Sequence, residues 1–346
     1  MLTQRAIVFL TIVSVTLVLL WFSKKPEEEE PCVVVVNTPS SFTPASWNLL
    51  YNPLEPTSYR AHHEIFSHFT RWEGAFVSDY VTDWLGVQTR YEWDCVDDPK
   101  SGMRYGAVQP ARRIPCEIHA AQRAAGIRHI RGEMPVLDDE YEELVDVLQA
   151  VVRTPRDFVV VELGARYGTW GVRALKAWHQ LRGVDARATF IGVESDPVFY
   201  QWMVDHVARN NLTHESIILH MSVRKGEDAD LLAIVRKTGI DHIDYLDSDI
   251  QGSEGELFDH APTLAYLDAH VSALHIGTHT NAIHRQLDAL FRARSGWVRY
   301  FGYGLGYGRD CEKTVVNSLQ TDNACLTTTP YGRVYVRDGM ISYARE

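Results

Sequence analysis

The most constraining feature of this chain is a short stretch, Phe158 to Leu163, that is apolar except for Glu162. A run of that length and composition reads as a strand buried on both faces. It leads at once into a turn bearing Gly164 and Gly168, and then into Val172, Leu175, Trp178 and Leu181 at helical spacing. Strand, glycine turn and helix follow in order, and the alternation repeats. Ala188 to Val193 predicts a second strand, and Ser195-Asp196-Pro197 supplies a cap with proline at the first helical position. Phe199, Trp202, Met203 and Val207 form the next apolar stripe. Ile217–Met221, Ile243–Leu246 and Val271–Ile276 are further strand candidates. Helices are expected near Leu231 to Val235, Glu254 to Leu257 and Ile283 to Phe291. A helix carrying Tyr141, Leu144, Val145, Leu148, Val151 and Val152 behind an Asp138 cap precedes them all. The pattern predicts a doubly wound α/β domain over residues 138–346 with a mostly parallel sheet. At its end, Arg333 to Val336 and Met340 to Tyr343 flank Asp338-Gly339, which predicts a C-terminal antiparallel hairpin.

Ahead of this domain the composition changes. Ala6 to Phe22 is uncharged, lies between Arg5 and Lys24-Lys25, and is long enough for a single membrane anchor within residues 1–25. Its orientation is open, because Arg5 with the amino terminus balances Lys24 with Lys25. Residues 26–56 hold six prolines and the acidic run Glu27 to Glu30, so they read as a stem. Residues 57–137, dense in aromatics from Trp72 to Trp93 and basic from Arg104 to Arg131, read as a cap or substrate region. A formal charge of −11 has the wrong sign for a chain that binds by neutralising phosphates, so nucleic acid is excluded as a general partner. The five cysteines form no C-x-x-C pair and read as core or incidental thiols. One triplet, Asn211-Leu212-Thr213, has the form of a glycosylation acceptor, which by itself occurs by chance.

The chemistry is concentrated at the strand ends. Gly164, Ala165 and Gly168 let backbone approach a ligand, and the helix behind them offers N–H groups. Glu194, ending the second strand, suits a ribose whose two hydroxyls donate to one carboxylate. Ser222 follows the third strand. Arg166 stands where a dinucleotide fingerprint needs its middle glycine, and Glu162 repels phosphate. A nucleoside without phosphates, carrying an amino-acid ammonium, fits instead, which describes S-adenosylmethionine.

Val161 to Gly168 (V-E-L-G-A-R-Y-G), then Gly192 to Pro197 (G-V-E-S-D-P), then Ile243 to Glu254 (I-D-Y-L-D-S-D-I-Q-G-S-E) resemble the FkbM-type methyltransferases over roughly Glu133 to Arg345. Asp249, Gly252 and Glu254 match the last motif, whereas Asp247 stands where that family often has Lys or His. Ala273 to His279 resembles its fifth strand and the loop after it. The resemblance implies a Rossmann-like class I methyltransferase fold and S-adenosylmethionine as donor. It also implies an oxygen acceptor on a sugar or secondary metabolite, whether a small molecule or a glycan.

An alcohol acceptor needs its proton removed, and Asp249, His275 and His279 are the candidates within reach. No metal is required by this reading. Two rivals remain open: a membrane-anchored glycosyltransferase using Asp247 and Asp249 as a D-x-D metal motif, and a non-catalytic protein that keeps the fold. Gly302, Gly304, Gly306 and Gly308 mark a flexible loop or an ordinary inter-strand connection.

Overall fold

The computed structural model describes residues 49–55, 60–96, 110–226, 228–303, 315–316, 319–320, 325–336 and 339–346. The anchor run, most of the stem, the glycines at 304–308, and Cys32 and Cys311 lie outside them. Among the described residues no helix is long and apolar enough to cross a membrane.

Short elements come first. Glu73–Ala75 pairs with His129–Arg131 and Tyr80–Thr82 with Gln88–Arg90, both antiparallel. Helices α1 (Tyr91–Cys95) and α2 (Pro110–Ala124) pack beside them. Leu50, at the end of the predicted stem, is 1% exposed and belongs to the main core, so the folded body begins earlier than the proline pattern indicates. Trp47–Glu346 forms one compact unit.

The rest alternates as expected. Helix α3 (Tyr141–Arg153) leads to β1 (Phe158–Leu163), α4 (Thr169–Arg182), β2 (Ala188–Glu194), α5 (Pro197–Arg209) and β3 (Ser216–His220). Then come α6 (Leu231–Thr238), β4 (Tyr245–Ser248), α7 (Glu254–Phe258), α8 (Ala261–His270) and β5 (Ala273–Gly277). Helix α9 (Asn281–Arg292), β6 (Trp297–Tyr303) and β7 (Met340–Arg345) complete the domain. The seven strands lie in the order β6-β7-β5-β4-β1-β2-β3, and β7 is the antiparallel member. This is a doubly wound, Rossmann-like sheet, parallel but for one strand, as the alternation predicts.

Alternation along β1 sends Phe158 and Val160 into the core beneath α3, α4 and α5, and Val161 and Leu163 into the core beneath α6 to α9. Trp178 of α4 stacks on Phe158 with ring centroids 5.4 Å apart. Asp196 caps α5 by accepting from the amides of Val198 and Phe199, and Pro197 follows it as predicted.

Three expectations are corrected. The last strand does not fold back on Gly332–Val336; it enters the sheet between β5 and β6, while Gly332–Val336 pairs with Cys325–Thr329. Burial of Ile341 and Tyr343 against α9 outweighs the local hairpin signal at Asp338-Gly339. Asp138 is not the N-cap of α3: Glu140 holds that position, and the Asp138 carboxylate accepts from the Glu140 amide. The cysteines are not all incidental thiols, because Cys95 and Cys116 form a disulfide between α1 and α2. Their separation of 21 residues matches no local motif; only the tertiary fold brings them together.

Closing a loop of that length restricts the unfolded chain by about 3 kcal/mol. The double variant Cys95→Ser, Cys116→Ser should therefore lose about 2–4 kcal/mol in non-reducing urea denaturation, while wild type in reductant should show the same loss. A wild-type transition indifferent to reductant would contradict this.

Candidate functional site

Two consequences of strand register build the site. Parallel pairing sets Glu162 opposite Asp247 and Asp247 opposite His275, and the antiparallel β5–β7 pair sets His275 opposite Ser342. A polar row thus crosses four strands within the core. Helix α3 lies over it and adds Glu143 and Asp146. At the carboxyl ends of β1 to β4, where the winding of the sheet reverses, a cavity of about 530 Å³ opens above this row.

The turn after β1 is shaped by close approaches. Gly164 has φ +79°, and a Cβ there would lie 1.9 Å from the Asp249 carbonyl oxygen, so only glycine lets the β1 and β4 loops touch. Gly168, also at positive φ, begins α4 without any capping side chain. Glu162 takes over that work, accepting from the amides of Trp170 (3.3 Å) and Gly171 (2.9 Å). These helix N–H groups are therefore occupied by protein, contrary to the sequence expectation. Gly168 does not border the cavity either; a Cβ there would press on Phe190 and Met203.

Glu162, Gly164, Ala165, Glu194 and Ser222 all line the cavity. Glu194 is fixed by the amides of Arg166 and Asp196, each 2.7 Å from one carboxylate oxygen; Oε1 also accepts from the Ser195 hydroxyl at 3.4 Å, and Oε2 keeps a second lone pair for a ligand. Arg166 adopts φ +50° in place of the missing glycine. Its guanidinium lies 3.6 Å from Asp94 of the cap, whose carboxylate also accepts from the Tyr167 hydroxyl at 2.9 Å. His206, fully buried, joins the Tyr167 carbonyl to Thr89. The cap is thereby fastened to the turn itself.

The charge of the cavity is uneven. Phe199, Met221 and Val223 border it together with Glu194 of β2, whereas Glu162 and Asp247 line it from the paired β1 and β4, and Glu140 and Glu143 from the start of α3. Burial pushes Glu162 up to about 8, and burial also raises Glu143 and Asp247 well above the carboxylate range. Asp247 and Glu143 meet carboxyl to carboxyl, a contact that needs a shared proton, and among the described residues no N–H or hydroxyl donates to Asp247 Oδ1.

The three candidate bases separate. Asp249 lines the cavity with its side chain 47% exposed. His279 Nε2 lies 2.9 Å from Asp249 and its Nδ1 3.0 Å from Glu254, which also accepts from the amides of Ile250 and Gly252. Burial opposes charge on this imidazole, yet the two carboxylates outweigh it and raise its pKa to about 10. Against its own desolvation, Asp249 is held below its ordinary value by the His279 imidazolium and by the Gln251 amide. His279 already carries its proton and is unsuited to act as the base. His275 is buried between Ser342 (2.9 Å), Asp146 (3.4 Å) and Glu143 (3.8 Å) and does not border the cavity, which corrects its place among the candidates.

Asp247 and Asp249, the D-x-D pair, diverge into two clusters, Glu143–Asp247–His275 and Asp249–Glu254–His279. Each has atoms of cation-ligand type within 4.8 Å of one another. The sequence pattern did not point to Glu140 or Glu143, and it marked Arg166 only as a departure from a dinucleotide fingerprint. The available signal was four acids, Glu140, Glu142, Glu143 and Asp146, within a helix otherwise patterned for burial.

No family model and no curated protein matches the chain. Solved structures similar to it include a precorrin-6y C5,15-methyltransferase from Geobacter metallireducens, at 11% identity over 60% of this chain and 88% of that one, with TM-score 0.36. An O-methyltransferase from Bacillus cereus in complex with SAH shows 14% identity over 66% and 89%, with TM-score 0.37. A human methyltransferase 10 domain containing protein shows 9% identity over 61% and 83%, also at 0.37. The strand order, rather than these likenesses, defines the fold.

Because the folded state binds the His279 proton more tightly than the unfolded chain, this group's stabilisation is complete below pH 6.5 and is lost as pH rises through about 10. Imidazole NMR should place the His279 titration near 10, and His279→Gln should flatten the alkaline limb of stability. A midpoint between 6 and 7 would refute the ion triad.

Proposed function

We propose that this chain is an S-adenosylmethionine-dependent methyltransferase of the FkbM type, acting on a hydroxyl of a sugar or secondary metabolite. The observation that carries the reading is the composition of the cavity: a ribose acceptor, Glu194, with the apolar Phe199, Met221 and Val223, and a predominance of acidic groups, Glu143, Glu162, Asp247 and Asp249, in the same lining. A ligand with a sulfonium and an ammonium relieves Asp247 and its neighbours, whereas a diphosphate would be repelled by them. When bound, S-adenosylmethionine supplies a methyl group on a positively charged sulfur. Glu194 would hold the ribose, and Ser222 adds a hydroxyl at the same rim. Glu162, Glu143 and Asp247 would face the cationic amino-acid end. The metal-dependent glycosyltransferase reading needs Asp247 and Asp249 on one ion, and their separate clusters do not favour it.

For the acceptor, Asp249 is the exposed, ionised carboxylate at the cavity and would orient the hydroxyl and take its proton. His279, anchored by Glu254, holds Asp249 in place and ionised. Gly277 leaves room for this pair, since a Cβ there would lie 3.2 Å from the imidazole. Membrane attachment through Ala6 to Phe22 belongs to the same proposal as the means of presenting the enzyme to its acceptor.

A cationic ligand lowers the pKa of nearby carboxyls, so binding near neutral pH should release protons. Affinity for S-adenosylmethionine should rise between pH 6 and 8, by up to about tenfold per unit for one proton released. Calorimetry in buffers of different ionisation enthalpy measures it, and proton uptake would sink the assignment. Glu194→Ala should weaken binding by about 1–3 kcal/mol. Asp249→Asn should slow single-turnover methyl transfer by a factor of about 10² to 10⁴ with cofactor affinity nearly unchanged. Equal loss in Asp247→Asn together with EDTA sensitivity would favour the metal-dependent rival.

A further inference from the structure

The cap disulfide bears on a question that the charges around Ala6 to Phe22 leave open. Disulfides form and persist in oxidising compartments and are rare in reducing ones. Cys95 and Cys116 join α1 to α2 on the carboxyl side of that apolar run. The folded body is therefore suited to the lumenal side of the secretory pathway, the side on which N-x-Thr triplets are glycosylated.

The triplet Asn211-Leu212-Thr213 is placed for that modification. Asn211 follows the C-cap of α5, takes φ +61°, and is exposed. Leu212 is 2% exposed and anchors the turn in the core, so Asn211 and Thr213 stand outward on either side of it. The positive φ suits asparagine, which tolerates the left-handed region better than most residues. Asp196 and Phe199, which line the cavity, lie at the other end of α5, about 20 Å away at 1.5 Å per residue. A glycan on Asn211 would leave the cavity uncovered.

We propose that the body from Trp47 onward is lumenal and carries an N-linked glycan on Asn211. Forming the disulfide passes two electrons and two protons from the thiols to a protein-disulfide oxidant. Glycosylation joins Asn211 Nδ2 to the anomeric carbon of a lipid-linked diphospho-oligosaccharide. The bond from that carbon to the diphosphate breaks, the lipid diphosphate departs, and the amide gives up one proton. Neither step depends on methyl transfer.

The test is full-length protein made in cultured mammalian cells, with free thiols alkylated at lysis. Wild type should gain mobility after peptide-N-glycosidase treatment, and Thr213→Ser should keep the shift. Asn211→Gln and Thr213→Ala should both lose it, the second while retaining asparagine at the strained position. A non-reduced digest should yield Cys95 and Cys116 in one cross-linked peptide. A wild type without a glycosidase shift, a shift that survives both Asn211→Gln and Thr213→Ala, or Cys95 and Cys116 recovered alkylated would each overturn the proposal.

Discussion

The arrangement on which the rest of the structure depends is the buried row Glu162–Asp247–His275–Ser342, held in line by strand register. Taking several carboxyls out of water is costly unless they are protonated, hydrogen-bonded or paired with a cation. Glu162 meets part of that cost by capping α4, and His275 by facing Asp146 and Ser342. Glu143 and Asp247 meet it in part by sharing a proton, with His275 3.8 Å from Glu143 and the Ser248 amide on Asp247. A buried acidic cluster of this kind costs the fold stability until its members are protonated or paired. The polarity that makes the core expensive is thus the same polarity that defines the pocket.

Backbone strain gathers at the rim of that pocket. Of the five non-glycine residues at positive φ among the described residues, Arg166, Gln251 and His279 lie in the loops after β1, β4 and β5. Such conformations cost about 1–3 kcal/mol each and persist only where the surroundings enforce them. The enforcing contacts are visible: Glu194 holds the Arg166 amide, Asp249 accepts from the Gln251 side chain, and His279 sits between two carboxylates. The loops are preorganised around one another, and the contact between Gly164 and the Asp249 carbonyl locks two of them together.

Much of this was legible in the sequence, because it depends on local signals. Phe158 to Leu163 reads as a buried strand, Asp196-Pro197 as a helix start, and Glu194 as a strand-end carboxylate, and each stands where its pattern places it. What was not legible depends on partners distant along the chain. Gly168 reads as ligand space, but whether a glycine faces a ligand or Phe190 is decided by packing. His275 and His279 read alike, since both follow from strand-end position; one is buried under α3 and the other caps a carboxylate pair at the rim. The Cys95–Cys116 bond and the insertion of β7 between β5 and β6 likewise have no local signature.

The disulfide is linked to the turn after β1. Asp94 adjoins Cys95, and it is Asp94 that receives the Tyr167 hydroxyl and pairs with Arg166, while Trp93 stacks on Tyr167 and Trp202. The disulfide therefore braces the short helix whose residues hold the turn between β1 and α4. Arg166 at positive φ is strained without that support, because its guanidinium is anchored by the cap while its amide is anchored by Glu194. A turn with arginine where a dinucleotide fingerprint has glycine keeps its shape because its side chain is held from outside. That external hold is itself braced by the covalent bond between Cys95 and Cys116.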